Sequence, residues 1–404
     1  MATAPELEAR TLDDFRAEAR AWLAENFPPS LKGKDNALSV LEGPHQPSED
    51  EARWQKAMGE KGWGVPTWPR QYGGGGLSRA EARVLQEEMA RAGAWNPIGG
   101  MGVMMFGPTL LEYGSEAQKL EHIPAIAKGE VRWCQGYSEP GAGSDLASLQ
   151  TFAEDMGDHY IVNGQKTWTS GGQWADKCFA LVRTDKTKKH EGISFLLIDM
   201  TSPGVEVRPI RMISGQSPFC ETFFTNVRVP KENLVGVPGQ GWTIGKRLLQ
   251  HERNSLSGGG SNAGRMFAGK PLSQLAKEYR GANDNGQVAD QDLRMRLVRH
   301  EMDQRAFMLT LRRAALEAKS NQGPSAATSI MKNVGARLTQ DRAELAIEIM
   351  GMAGLGWEGE GFSEAELAQT RTWLWGKAVS IYGGSTEIQN NVIAKRILGM
   401  LDHQ

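Results

Sequence analysis

Asn163-Gly164 stands between two β-patterned runs and is the strongest local fold signal in this 404-residue chain. Both central positions of a tight two-residue turn favour φ > 0, which Asn and Gly tolerate. Residues 152–170 therefore read as a β-hairpin folded at that pair. The hairpin lies within residues 132–174, which also carry a small-residue run, Glu139-Pro140-Gly141-Ala142-Gly143-Ser144-Asp145. Glycines 141 and 143 let backbone N–H groups approach a ligand, Ser138 and Ser144 add hydroxyls, and Trp168 and Trp174 offer flat surfaces. Such a set suits a planar, phosphate-bearing cofactor.

The flanks have a different period. Thr11 caps a helix over 11–26 whose apolar side is Leu12, Phe15, Trp22 and Leu23, and Pro28-Pro29 stops it. Capping boxes open at Ser48, Ser78 and Ser115, each with Glu or Gln three residues on. Residues 96–113 are apolar and Met-rich and read as a buried helix. Beyond the hairpin, 179–183, 193–200, 205–212 and 222–229 are short, β-branched or aromatic runs separated by turn residues. Helical patterns return at 244–253, 293–320, 326–350, 365–374 and 386–399, while 280–290 reads as a polar loop. The order is α, then β, then α, with divisions placed at 1–131, 132–238 and 239–404.

A net charge of −2 leaves no basic footprint for nucleic acid and no polybasic membrane patch. No apolar run reaches the length of a membrane span, and a cytoplasmic protein is the default expectation. Three separated cysteines, Cys134, Cys178 and Cys220, suit buried thiols in a reduced compartment and form no CxxC pair. Gly73–Gly76 lacks the preceding strand and following Lys of a phosphate loop, and GRMFAGKP has Pro271 where that loop needs Ser or Thr. HExxH and GxSxG are absent, and seven scattered histidines argue against a metal centre.

The literal strings narrow the reading. SEPGAGSD followed by NGQKTWTS, together with IYGGSTEIQNNVIAKRIL at 381–398, resembles the FAD-dependent acyl-CoA dehydrogenase family. The resemblance implies an α+β multidomain fold: an N-terminal α-helical domain, a middle β-barrel and a C-terminal four-helix bundle. It implies that Gln135, Tyr137, Ser138, Gly143 and Ser144 line the flavin, with Ser144 also meeting substrate. By the same likeness Trp168 and Ser170 pack against the ring, Ser385 and Glu387 touch the flavin, and Glu348 reaches a neighbouring subunit's adenine. Gly384 would meet the substrate and Lys395 the CoA.

Tyr137 departs from the family's usual aliphatic residue and puts a phenol near the ring. A second departure bears on catalysis. Many members carry their catalytic base directly after the motif tyrosine, where this chain has Gly383. A minority carry it on a helix just before an Arg, and LLQHER places Glu252 and Arg253 at that position. The resemblance then makes Glu252 the base that takes the α-proton and Arg253 a substrate contact. His251 is adjacent, but consecutive helix residues point about 100° apart, so the two do not face one substrate. Gly383 keeps its N–H as donor to the thioester oxygen, and the missing side chain leaves room for branched, cyclic or dicarboxylic acyl groups.

The implied partners are an acyl-CoA substrate and an electron-transfer flavoprotein. The implied assembly is a homotetramer or dimer, or a heterotetramer of two different chains. Two other readings stay open: a non-catalytic partner subunit of such a heterotetramer, and a flavin oxidase or monooxygenase on the same scaffold.

Overall fold

The computed structural model describes residues 10–33, 46–257, 269–320 and 328–401. The chain divides into two compact units, Met1–Ile210 with Ser217–Glu252, and Arg211–Gln216 with Arg253–Gln404.

The first unit opens with helices α1 (Leu12–Asn26), α2 (Glu49–Lys61), α3 (Arg79–Ala92), α4 (Gly107–Tyr113) and α5 (Glu116–Lys128). The boxes at Ser48, Ser78 and Ser115 all form, and Thr11 builds a fourth with Asp14. Each box satisfies two orphan N–H groups within one helical turn, which is why the starts are legible locally. The Met-rich run 96–113 is not one helix. It is extended to residue 99, takes a π-helical turn at Gly102–Phe106, and continues as α4. A Cβ at Gly107 would lie 2.1 Å from the Trp68 ring, so only glycine fits that contact.

Eight strands follow: β1 (Trp133–Gly136), β2 (Phe152–Asp155), β3 (His159–Ser170), β4 (Lys177–Arg183), β5 (Ile193–Asp199), β6 (Val205–Ile210), β7 (Phe219–Pro230) and β8 (Leu234–Val235). Their order is β6-β7-β3-β2-β4-β5-β8, with β1 parallel to β4. Alternation sorts the side chains of β4 onto two faces. Cys178, Ala180 and Val182 join Val162, Leu196 and Val229 in an interior enclosed by the curled sheet, whereas Phe179 and Leu181 face outward. That outer face packs with Phe106, Ile123 and Ile126 of the helical domain and with Ile244 and Leu248 of α6 (Gly241–Ser257). All three cysteines are free and buried.

The hairpin over 152–170 forms, but it does not turn at Asn163-Gly164. Its strands pair from Phe152↔Asn163 to Asp155↔Tyr160, and the chain reverses through Met156-Gly157-Asp158. Gly157 takes φ +96°, and its N–H donates to Asp155 Oδ1 at 2.9 Å. This local Asx-type bond gives Asp155–Asp158 turn chemistry of its own. Asn163-Gly164 instead marks a register shift against β7, where Asn163 Oδ1 accepts from Asn226 N at 2.8 Å. A Cβ at Gly164 would approach Thr151 Oγ1 to 2.5 Å, so this glycine is required by tertiary packing.

The second unit contains α7 (Leu272–Arg280), α8 (Gln291–Ser320), α9 (Thr328–Met350), α10 (Glu364–Gly376) and α11 (Thr386–Val392), the last running into a π-turn at Ile393–Ile397. The central helix is α9, which packs on the other four. The sequence pattern does not announce α7. It has no side-chain cap and is held by Leu272 and Ala276 against Leu293, Leu297, Leu345 and Ile349.

Candidate active site

The segment implicated in flavin contact is the exit of β1. Gln135 lies in that strand, half-buried, and its Nε2 is a buried donor with no partner. Gly141 and Gly143 are exposed, and a Cβ at either would meet nothing within 4 Å. Their lack of a side chain therefore answers to no contact within the protein. Ser138 is half-buried and Ser144 exposed. An orphaned donor beside bare backbone and free hydroxyl positions fits a ring-and-phosphate ligand.

Tyr137 directly follows β1. Its ring is buried edge-on to Phe179 and Phe195, in the core shared with α6. Its hydroxyl lies 3.4 Å from where a Gly245 Cβ would stand.

A buried ion pair fixes this segment, and the sequence reading gave neither partner a role. Lys166 is 0% exposed. Its Nζ donates to Glu139 Oε1 at 2.8 Å, to Leu181 O at 2.7 Å and to Tyr137 O at 3.1 Å. Glu139 in turn accepts from Gln150 N at 2.6 Å and Thr151 N at 2.9 Å. Burial pushes the Glu139 carboxyl up, but the Lys166 charge and the hydrogen bonds outweigh it and hold the group below its ordinary range. Burial lowers Lys166, with Glu139 opposing. The available signal was a Lys and a Glu both falling at inward positions of the motif strings. Arg183 performs a similar task, donating to the carbonyls of Ala147, Leu149 and Lys188 at 2.7–2.9 Å.

Trp168 occupies a left-handed conformation, φ +61°, within a second register shift of β3. It is 53% exposed and meets Phe219 edge-on at 6.0 Å. A bulky residue in this region is strained by about 1–2 kcal/mol, and such strain concentrates at ligand sites. Ser170 is half-buried at the end of the same strand.

On α6, Ile244 and Leu248 are fully buried, and Gly245 faces Leu181 and Tyr137. Arg247 forks the Glu112 carboxylate at 2.7 and 2.8 Å, and His251 Nε2 lies 3.1 Å from the same group. Burial pushes the His251 imidazolium pKa down, with the Glu112 charge opposing. Glu252 and Arg253 fall within the helix, but their side chains lie outside the described residues.

In the second unit Gly383 and Gly384 take φ +66° and +89°. A Cβ at Gly383 would meet nothing within 4 Å, so that position is open. Ser385 is the N-cap of α11, its hydroxyl accepting from Ile388 N at 3.4 Å, and Glu387 is exposed in the first turn. Lys395 is exposed. The Glu348 carboxylate, expected at an adenine, is forked by Arg296 at 2.5 and 2.6 Å.

Comparison with known proteins decides the family. The N-terminal, middle and C-terminal domain models of acyl-CoA dehydrogenase match residues 10–130, 134–227 and 239–398. The chain belongs to the acyl-CoA dehydrogenase family. It is 38% identical to acyl-CoA dehydrogenase IpdE1 of Mycolicibacterium smegmatis, over 96% of this chain and 98% of that one. Among solved structures it resembles the Tcur3481-Tcur3483 steroid ACAD, with TM-score 0.75 and 30% identity, covering 99% of this chain and 100% of that one. The ChsE4-ChsE5 complex of Mycobacterium tuberculosis gives TM-score 0.73 and 29% identity over 99% and 100% of the two chains. The protein is thus an oxidoreductase of a family that is FAD-dependent in general. Among the described residues no group of His, Cys, Asp and Glu could hold a metal, and no helix is long and apolar enough to cross a membrane.

Proposed function

We propose that this acyl-CoA dehydrogenase desaturates a bulky acyl-CoA thioester with Glu252 as its base, in a chain divided after residues 131 and 238. The observation that carries the reading is the register of α6. Seven residues turn an α-helix by about 700°, so position 252 lies within about 20° of Gly245 on one stripe. Gly245 faces Leu181 and Tyr137, and the neighbouring stripe holds the buried Leu248. Position 252 continues the helical stripe that starts at Gly245, and in a chain whose motif loop offers only Gly383 this is where the missing base is best supplied.

Glu252 accepts the α-proton, and Arg253 contacts the substrate. The Gly383 N–H donates to the thioester oxygen, where negative charge grows as that proton leaves. Gly384 borders the acyl group and Lys395 steers the CoA. Gln135, Tyr137, Ser138, Gly143, Ser144, Trp168 and Ser170 hold FAD, with Ser385, Glu387 and Glu348, and Ser144 also meets the substrate. When bound, FAD supplies the acceptor for the β-hydride, which no side chain can provide. Electrons then pass to an electron-transfer flavoprotein.

Open space at Gly383 favours a branched or cyclic acyl group, and the likeness to a protein described as a steroid ACAD points the same way. The test is flavin bleaching over a panel of acyl-CoA thioesters, with Glu252→Gln alongside. The variant should retain FAD and lose turnover. Activity confined to straight medium-chain substrates would refute the wide pocket, and full turnover of the variant would refute the base.

A second reading is a partner subunit of a two-chain enzyme. Its support is the resemblance to the ChsE4-ChsE5 complex. It predicts that the purified chain is inactive alone and is rescued by a second, different chain.

A further inference from the structure

We infer that Glu112 is a positioning residue for the second half of α6. This rests on the reading of Glu252 as base. The first half of that helix is fixed by packing. A Cβ at Gly241 would collide with the Ser194 backbone at 2.4 Å, and Ile244 and Leu248 are wholly buried. After Leu248 no residue of the helix is fully buried among the described residues. There Leu249 still packs, half-buried, against the same core, and the polar ties converge on one carboxylate.

Glu112 stands near the end of α4. It accepts two parallel bonds from Arg247 and lies 3.1 Å from His251 Nε2. Arg247 is further ordered by Gln250 Oε1 at 3.0 Å. Arg247 and His251 are one turn apart, so a single carboxylate is hydrogen-bonded from one turn and faced at 3.1 Å by the imidazole of the next. The second of those residues directly precedes Glu252. A forked Arg–carboxylate contact fixes orientation as well as distance, which a lone contact does not. Glu112 touches no reacting atom in this account. It sets the place and rotation of the helical turn that carries position 252.

Misplacing a catalytic group by a fraction of an ångström costs rate steeply, on the order of 100-fold for about 1 Å. The experiment isolates the proton-transfer step. FAD-loaded protein is incubated in D₂O with cyclohexylthioacetyl-CoA, a cyclic thioester whose sulfur replaces Cβ so that no hydride can leave. Deuterium entering at Cα is followed by mass spectrometry. Glu252→Gln should abolish exchange. Glu112→Gln should slow it about ten-fold at saturating ligand, with FAD content and Tm near those of the parent and lower amide protection over 249–257.

Exchange at the parental rate in Glu112→Gln, with Glu252→Gln inactive, overturns the role of Glu112 and leaves the base in place. Parental exchange in Glu252→Gln, or none in the parent protein, overturns the base reading itself. If Glu112→Gln does not fold, Arg247→Lys keeps the charge and removes the fork. It should show the same slowing, and an unchanged rate would be equally fatal.

Discussion

Lys166→Met removes the only charge that balances the buried Glu139 carboxylate among its described contacts. The variant side chain has similar length, so the cost is electrostatic rather than steric. It strands the Tyr137 and Leu181 carbonyls and leaves Glu139 with its two backbone donors alone. Breaking a buried pair by deleting one partner costs about 3–5 kcal/mol, and the retained donors favour the lower end, ~3 kcal/mol. At 2–4 °C per kcal/mol this lowers Tm by roughly 6–12 °C.

The pH dependence gives a sharper signature. In the parent, Glu139 is held below its ordinary range, so its contribution is present above the unfolded pKa and lost as pH falls through the folded one. Without Lys166, burial is opposed only by the two backbone donors, the folded pKa should rise above the unfolded value, and the variant should lose stability as pH rises. The penalty should therefore shrink between pH 7.5 and 5. Adding Glu139→Gln should recover part of the loss at neutral pH. Thermal and urea unfolding at the two pH values, with bound FAD measured by absorbance, provides the assay. A loss below about 1 kcal/mol, or a penalty that does not shrink in acid, would refute the account of this segment.

Gly164→Ala should destabilise by about 2–3 kcal/mol, because φ +152° and a 2.5 Å approach to Thr151 combine strain with overlap; urea unfolding would read it. Glu88 is buried on α3, and the Arg20 hydrogen bond, aided by Arg16, holds its pKa at about 2 despite burial. Its stabilising contribution is fully present above the unfolded carboxylate pKa of about 4.3 and is lost as pH falls toward 2. Glu88→Gln should therefore flatten the acid limb of the stability curve, and an unchanged limb would place the acid sensitivity elsewhere. Trp168→Gly should relieve the left-handed strain and leave Tm within a few degrees of the parent, while FAD affinity drops.

The order of helical, β and helical segments was readable from sequence because its signals are local. Capping boxes act within one turn, and strand alternation sorts faces over two residues. The family was readable from three strings whose residues are contiguous. The turn of the hairpin was not, because Asn163-Gly164 and Asp155–Asp158 both offer turn chemistry, and only packing of Gly164 against Thr151 separates them. Helix α7 was missed for a related reason: its start carries no side-chain cap and it packs against Leu293, Leu345 and Ile349, which are distant in sequence. Nothing local sets Lys166 apart from other strand lysines; only the fold surrounds it with Glu139 and two carbonyls. Sequence thus determined which elements exist and which chemistry they resemble. Tertiary structure decided which polar groups are buried together, since desolvation depends on neighbours that no local window contains.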